Sequence, residues 1–125
     1  MKKVFAVLAL VLAFAGTAFA LSDSEYLSLK KSNADFARAD KRLAQVYGKL
    51  KDALSKKEFA ELKDAQLEWI NSGRDEEAEA LMNEGYSRAE AYTMATNDRA
   101  GYLQELLDEA QKQAKKAQKA KPKKK

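Results

Sequence analysis

Four carboxylates packed into positions 75–79, Asp75, Glu76, Glu77 and Glu79, and eight lysines among the last fourteen residues are the densest functional groups in this sequence. Two carboxylates suit glycoside hydrolysis when they stand about 5 to 9.5 Å apart across a sugar cleft. A thin helical bundle offers no such cleft, and no D-x-D-x-D-G loop is present to hold calcium. The chain has neither cysteine nor histidine. That removes the usual zinc sites and every Ser-His or Cys-His nucleophile. The reading is therefore a non-enzyme, with no catalytic residue, no metal and no cofactor. The acids at 75–79 then form either a solvated face or a surface complementary to a cationic partner, where charge raises the association rate more than the affinity.

The lysines invite the opposite partner. Lys112, Lys115, Lys116, Lys119, Lys121, Lys123, Lys124 and Lys125 carry +8 with no acid among them. From Leu21 to Gln111, 13 basic residues face 19 acidic ones, a net charge of −6. One chain thus offers two surfaces of opposite sign. A polycation binds anionic polymers through counterion release, so lipopolysaccharide or anionic wall polymer would suit the tail. The competing reading is a solubilising extension.

The amino-terminal residues decide between such partners. Lys2 and Lys3 precede an apolar run from Val4 to Ala15, and Ala18-Phe19-Ala20 has the small-residue form of a cleavage site. We read residues 1–20 as a cleaved secretory signal peptide, since the run is shorter than the roughly 20 residues a membrane span requires. Export to the periplasm or beyond makes nucleic acid the least expected polyanion. The domain is read as 21–111 and the tail as 112–125, with no disulfide to assist and no membrane span after cleavage.

Three S-x-x-E capping boxes, Ser22 with Glu25, Ser55 with Glu58 and Ser87 with Glu90, place helix starts near 23, 56 and 88. The first helix, to about Leu54, repeats Leu29, Phe36, Leu43 and Leu50 every seven residues. Ser32 and Asn33 are its candidate break. The second runs to about Asn83, where Gly85 can end it, and the third starts at about Arg88. No strand pattern competes. The expected fold is all-α, an antiparallel three-helix bundle with a disordered basic C-terminal tail, disorder setting in beyond Lys119.

Information is most concentrated from Leu62 to Asp75, LKDAQLEWINSGRD, which holds the single tryptophan. On a helix of 3.6 residues per turn, Phe59, Leu62, Trp69, Ile70, Ala80 and Leu81 share a face with Gln66 and Gly73. Trp69 is the expected core anchor. Gln66 must find a partner there, because an unpaired buried amide costs about 1 to 3 kcal/mol. Asp40 and Arg99 likewise fall on the apolar faces of their helices. We expect a partly buried polar layer of Asp40 with Arg99, joined by Arg74, and a contact from Gln66 to the neighbourhood of Tyr47. Such layers fix helix register more than they stabilise.

ADKRLAQVYGKL at Ala39–Leu50, LKDAQLEWINSGRD at Leu62–Asp75 and DRAGYLQEL at Asp98–Leu106 together resemble the lysozyme inhibitor LprI-like family of exported bacterial proteins. The family's pattern falls here on Asp40, Leu43, Tyr47, Gln66, Trp69, Arg74, Asp75, Arg99 and Leu103. Two departures stand out. Family members commonly carry a cysteine pair, absent here, and the spacing from Trp69 to Arg74 is one residue longer than usual. The resemblance implies an exported helical binding module, with inhibition of a cationic lysozyme-type hydrolase as its activity. Candidate rim contacts are Asp75, Glu76, Glu77 and Glu79, and the candidate plug is the turn at Tyr86, which otherwise packs down as a hydrophobic staple. The alternative is a structural envelope protein tethered to anionic polymer by its lysines.

Overall fold

A computed structural model describes residues 21–120. The expected signal peptide and the lysines from Lys121 onward lie outside the described residues. The rest is all-helical: α1 (Asp23–Ser32), α2 (Ala34–Ala53), α3 (Lys56–Glu68), a π-helical turn (Trp69–Gly73), α4 (Arg74–Asn83) and α5 (Arg88–Ala120). No described helix is long and apolar enough to cross a membrane.

The helix starts are chemical. Ser22, Ser55 and Ser87 each accept a hydrogen bond from the backbone amide three residues on, and Glu25, Glu58 and Glu90 each accept one from the capping serine's amide. Each box satisfies two amides that a helix start leaves unbonded. At the far end of α4, Gly85 takes φ +108°, and the amides of Gly85 and Tyr86 donate to the carbonyls of Met82 and Leu81. This closed turn leaves little chain before α5 begins.

The single first helix expected from Asp23 to Leu54 is two helices. Asn33 adopts extended backbone and its Oδ1 accepts from the Phe36 amide 2.9 Å away, so one residue ends α1 and caps α2. The last helix runs on through Lys112 to Ala120, so the disorder expected beyond Lys119 falls, Ala120 apart, outside the described residues.

Two apolar clusters form the core. Leu43, Val46, Leu50, Leu62, Trp69, Ala100, Leu103 and Leu107 make the first. The second gathers Phe36, Ala78, Ala91 and Tyr92, with Tyr26, Leu29, Leu81 and Met82 packed against it. Residues of α2 and α5 enter the two clusters in the same order along the chain, and those of α3 and α4 in the reverse order. The π turn sits where that second rod passes from one cluster to the other.

The turn changes which residues face inward. A π turn holds one residue more than the α-helix it interrupts and rotates everything after it. Trp69, Ser72 and Gly73 are buried and Ala78 follows them, whereas Ile70 is 39% exposed and Ala80 lies on the surface. The continuous stripe through Ile70 and Ala80 is thereby corrected. Trp69–Gly73 is where this chain takes up that additional residue.

Candidate interaction site

Trp69, 5% exposed, is the centre of a polar scaffold. The guanidinium carbons of Arg74 and Arg99 lie 5.7 and 5.8 Å from its ring centroid. Arg99 also stands 5.1 Å from the Tyr102 ring and donates through Nε to Gln66 Oε1 at 2.8 Å. That bond satisfies the buried amide. Arg74 Nε and Arg99 Nη2 are buried without a hydrogen-bond acceptor among the described residues. Ring faces therefore supply much of what holds these cations, an attraction that grows as water is excluded. Burial draws the Arg99 pKa below its usual value, opposed by Tyr102 and Glu77.

Asp40 takes other partners. It accepts from Tyr26 Oη at 2.6 Å and lies 3.4 Å from Lys30 Nζ. The break at Asn33 brings α1 against α2, setting Tyr26 on Phe36 edge to face and beside Asp40. The expected Asp40–Arg99 pair is thus replaced, and the expected contact from Gln66 towards Tyr47 is replaced by the bond to Arg99, with Tyr47 packing on Phe59 instead. A line of contacts still joins all four residues of the expected layer. It runs from Asp40 to Tyr26, from Tyr26 to Arg74 at 5.8 Å, and through Trp69 to Arg99 and Gln66.

The carboxylates at 75–79 divide. Asp75 accepts from the buried Tyr92 Oη at 2.6 Å and from the Leu21 amide at 3.1 Å, so its charge is spent inside the molecule. Burial and a hydrogen bond to Asp98 push the Glu77 carboxyl up to about 8, which leaves it mainly neutral near pH 7. Glu76 and Glu79 remain half-buried on α4, the Glu76 pKa raised by burial and by its acidic neighbours Glu79 and Asp75. The acidic charge meets solvent more openly nearby. Tyr86, 41% exposed, stands at the α4–α5 turn between the exposed Glu84 and Glu90, above a small hollow it shares with Asp35 and Met94.

Sequence reasoning missed Tyr26 and Tyr92, whose hydroxyls hold Asp40 and Asp75. It also missed the π turn at Trp69–Gly73. A family model described as lysozyme inhibitor LprI matches residues 23–115. The chain belongs to the LprI lysozyme inhibitor family. The match takes in all of the scaffold around Trp69 and the Tyr86 turn. No curated protein and no solved structure matches the chain.

Proposed function

We propose that this protein is an exported, non-enzymatic inhibitor of a lysozyme-type hydrolase and that the α4–α5 turn is the element it inserts. Membership of the LprI family carries the reading. The supporting geometry is an exposed tyrosine on a rigid turn. Gly85 and the amides of Gly85 and Tyr86 fix the backbone, so Tyr86 brings a large amphipathic surface with little entropy to lose. Glu84 and Glu90 flank it, and Glu76 and Glu79 continue the acidic face along α4. Such a surface suits the basic rim of a cationic hydrolase, whose approach it would steer.

The test is cell-wall lysis by a cationic lysozyme in the presence of the chain from Leu21, at low and moderate salt. Inhibition should be strongest at low salt. Tyr86→Ala should weaken it by about 30-fold, the effect of losing an interface anchor of about 2 kcal/mol. Undiminished lysis with excess protein at low salt refutes the reading. Inhibition that survives Tyr86→Ala together with charge reversal at Glu84 and Glu90 removes the turn from it.

The envelope tether rests on a separate observation, the exposure of Lys112, Lys115, Lys116 and Lys119 along one helix. Binding of heparin should weaken steeply with salt and disappear when the chain ends at Gln111.

A further inference from the structure

Leu21 lies at the edge of the fold, yet its backbone is held from a distance. The Leu21 amide donates to Asp75 Oδ1 at 3.1 Å, a partner 54 residues away in the chain. Its half-buried side chain packs against the cluster of Phe36, Ala78, Ala91 and Tyr92. The next residue, Ser22, caps α1 and is fixed by its box with Glu25.

The acceptor is a half-buried carboxylate bonded only to neutral groups. Besides the Leu21 amide, Asp75 accepts from Tyr92 Oη at 2.6 Å. Among the described residues the ion pairs are Lys30 with Asp40, Arg38 with Asp35 and Arg88 with Glu25, so none includes Asp75. The arginines that act on Tyr92 are engaged elsewhere, Arg74 over the Trp69 and Tyr26 rings and Arg88 on Glu25 at 3.1 Å. Drawing a carboxylate out of water is costly unless a cation joins its hydrogen bonds.

The sequence can supply that cation. Ala18-Phe19-Ala20 has the form of a signal-peptide cleavage site, and a cut after Ala20 makes Leu21 the first residue. We propose that Asp75 and Tyr92 form a receptor for the α-ammonium of Leu21, which gains its cation only when the signal peptide is removed. The inference rests on the export reading above. Hydrolysis of the Ala20–Leu21 bond by a signal peptidase of the exporting cell consumes one water and leaves a carboxylate on Ala20 and an ammonium on Leu21. One neutral N–H thereby becomes a cation with three, and a charge-assisted bond is roughly twice as strong as a neutral one. The remaining ionisable groups around this point are Glu25 and Tyr26 on α1, Asp40 on α2, Arg74 and Glu76 on α4, and Arg88 on α5. Tyr26 and Lys30 take up Asp40, and Arg88 takes up Glu25, which leaves Asp75 as the acid bonded to Leu21. The ion pair ties the start of α1 to α4 and α5 at the end of the core that carries Tyr86.

The test uses the chain from Leu21 to Lys125, released from a fusion so that Leu21 comes first, with isotopically labelled leucine for NMR. In the folded chain the α-amine should hold its proton about tenfold or more tightly than an ordinary α-amine, whose pKa is roughly 7.7 to 8.0. Asp75→Asn should return it to that range or below. Two further chains keep Asp75 and carry the test should Asp75→Asn fail to fold. One is N-acetylated at Leu21, which keeps a neutral N–H donor, and the other begins at Ala20, which moves the charge by about 3.8 Å. At pH 7 both should unfold at lower urea than the chain that begins at Leu21. Because the amine's pKa is higher folded than unfolded, the stability it contributes is complete below about pH 8 and is lost as pH rises through the folded value. The three chains should therefore converge in alkali. An amine that titrates in the ordinary range while the chain is folded, or one urea midpoint shared by all three chains at pH 7, overturns the pairing. Mass spectrometry of the protein recovered from the envelope of an exporting bacterium should place its first residue at Leu21. A chain that keeps its leader overturns the export reading and the pairing with it, whereas a chain that starts at Leu21 with an ordinary amine overturns the pairing alone.

Discussion

The two ends of the core are built from the same helices by different chemistry. Around Leu43, Leu50, Leu62, Trp69, Leu103 and Leu107, large apolar side chains interlock, and the polar groups present are turned onto ring faces. Around Phe36, Ala78, Ala91 and Tyr92, small residues alternate with tyrosines whose hydroxyls tie down Asp40 and Asp75 across helix boundaries. The first end gains stability from area removed from water. The second is specified by directed bonds, which hold geometry more than they add free energy. It is the second end that displays the α4–α5 turn, and the insertion proposed for that turn would benefit from a fixed backbone.

Substitutions should separate the two ends, and the largest effect belongs to the apolar one. Trp69→Ala removes the residue on which both arginines rest and should cost about 3 to 5 kcal/mol in urea unfolding. A midpoint that barely moves would remove Trp69 from the core. At the polar end, Tyr92→Phe deletes one buried bond to a carboxylate and should cost about 1.5 to 3 kcal/mol, with Leu21 losing protection from hydrogen exchange because Asp75 also holds its amide.

A smaller effect is expected where the two ends are spliced. Deleting Asn71 should return the π turn to α-helix and change stability by no more than about 1 kcal/mol, the scale of one residue's helix propensity. Deleting the exposed Lys63 instead rotates the following residues by about 100° and should unfold the chain. Equal damage from both deletions would show that the π turn is not an absorbed insertion.

The smallest effect is one of pH. Because folding raises the Glu77 carboxyl from 4.5 to about 8, the folded state holds a proton that the unfolded state releases. Stability from this group is complete below about pH 4.5, falls as pH rises and levels off above about 8. Glu77→Gln should flatten that decline and leave the mutant relatively more stable on the alkaline side. An unchanged slope in the urea midpoint between these limits would contradict the burial of Glu77 beside Asp98.

Much of the frame is legible in the residues. The three capping boxes are local, with both partners within one turn, and α1, α3 and α5 begin where they indicate. The heptad of α2 is equally plain because Phe36, Leu43 and Leu50 recur on one face. What sequence could not supply was long-range choice. Asp40 had to leave water, but whether Tyr26 or Arg99 reached it depended on the break at Asn33. Periodicity failed after Trp69 because an extra residue there changes the repeat, and no fixed period can follow a change of helix type. Asp75 looked like surface charge for a related reason, since its partners Tyr92 and Leu21 lie on other parts of the chain.

Amide hydrogen exchange of the chain, free and with excess of a cationic lysozyme, would test most directly whether the polar end is the binding end. The account predicts new protection confined to Asn83–Glu90 and the exposed face of α4, with exchange around Leu50, Leu62 and Leu107 unchanged. Protection centred on the groove beside Leu54 and Leu106, or no protection anywhere under conditions where lysis is inhibited, would contradict it.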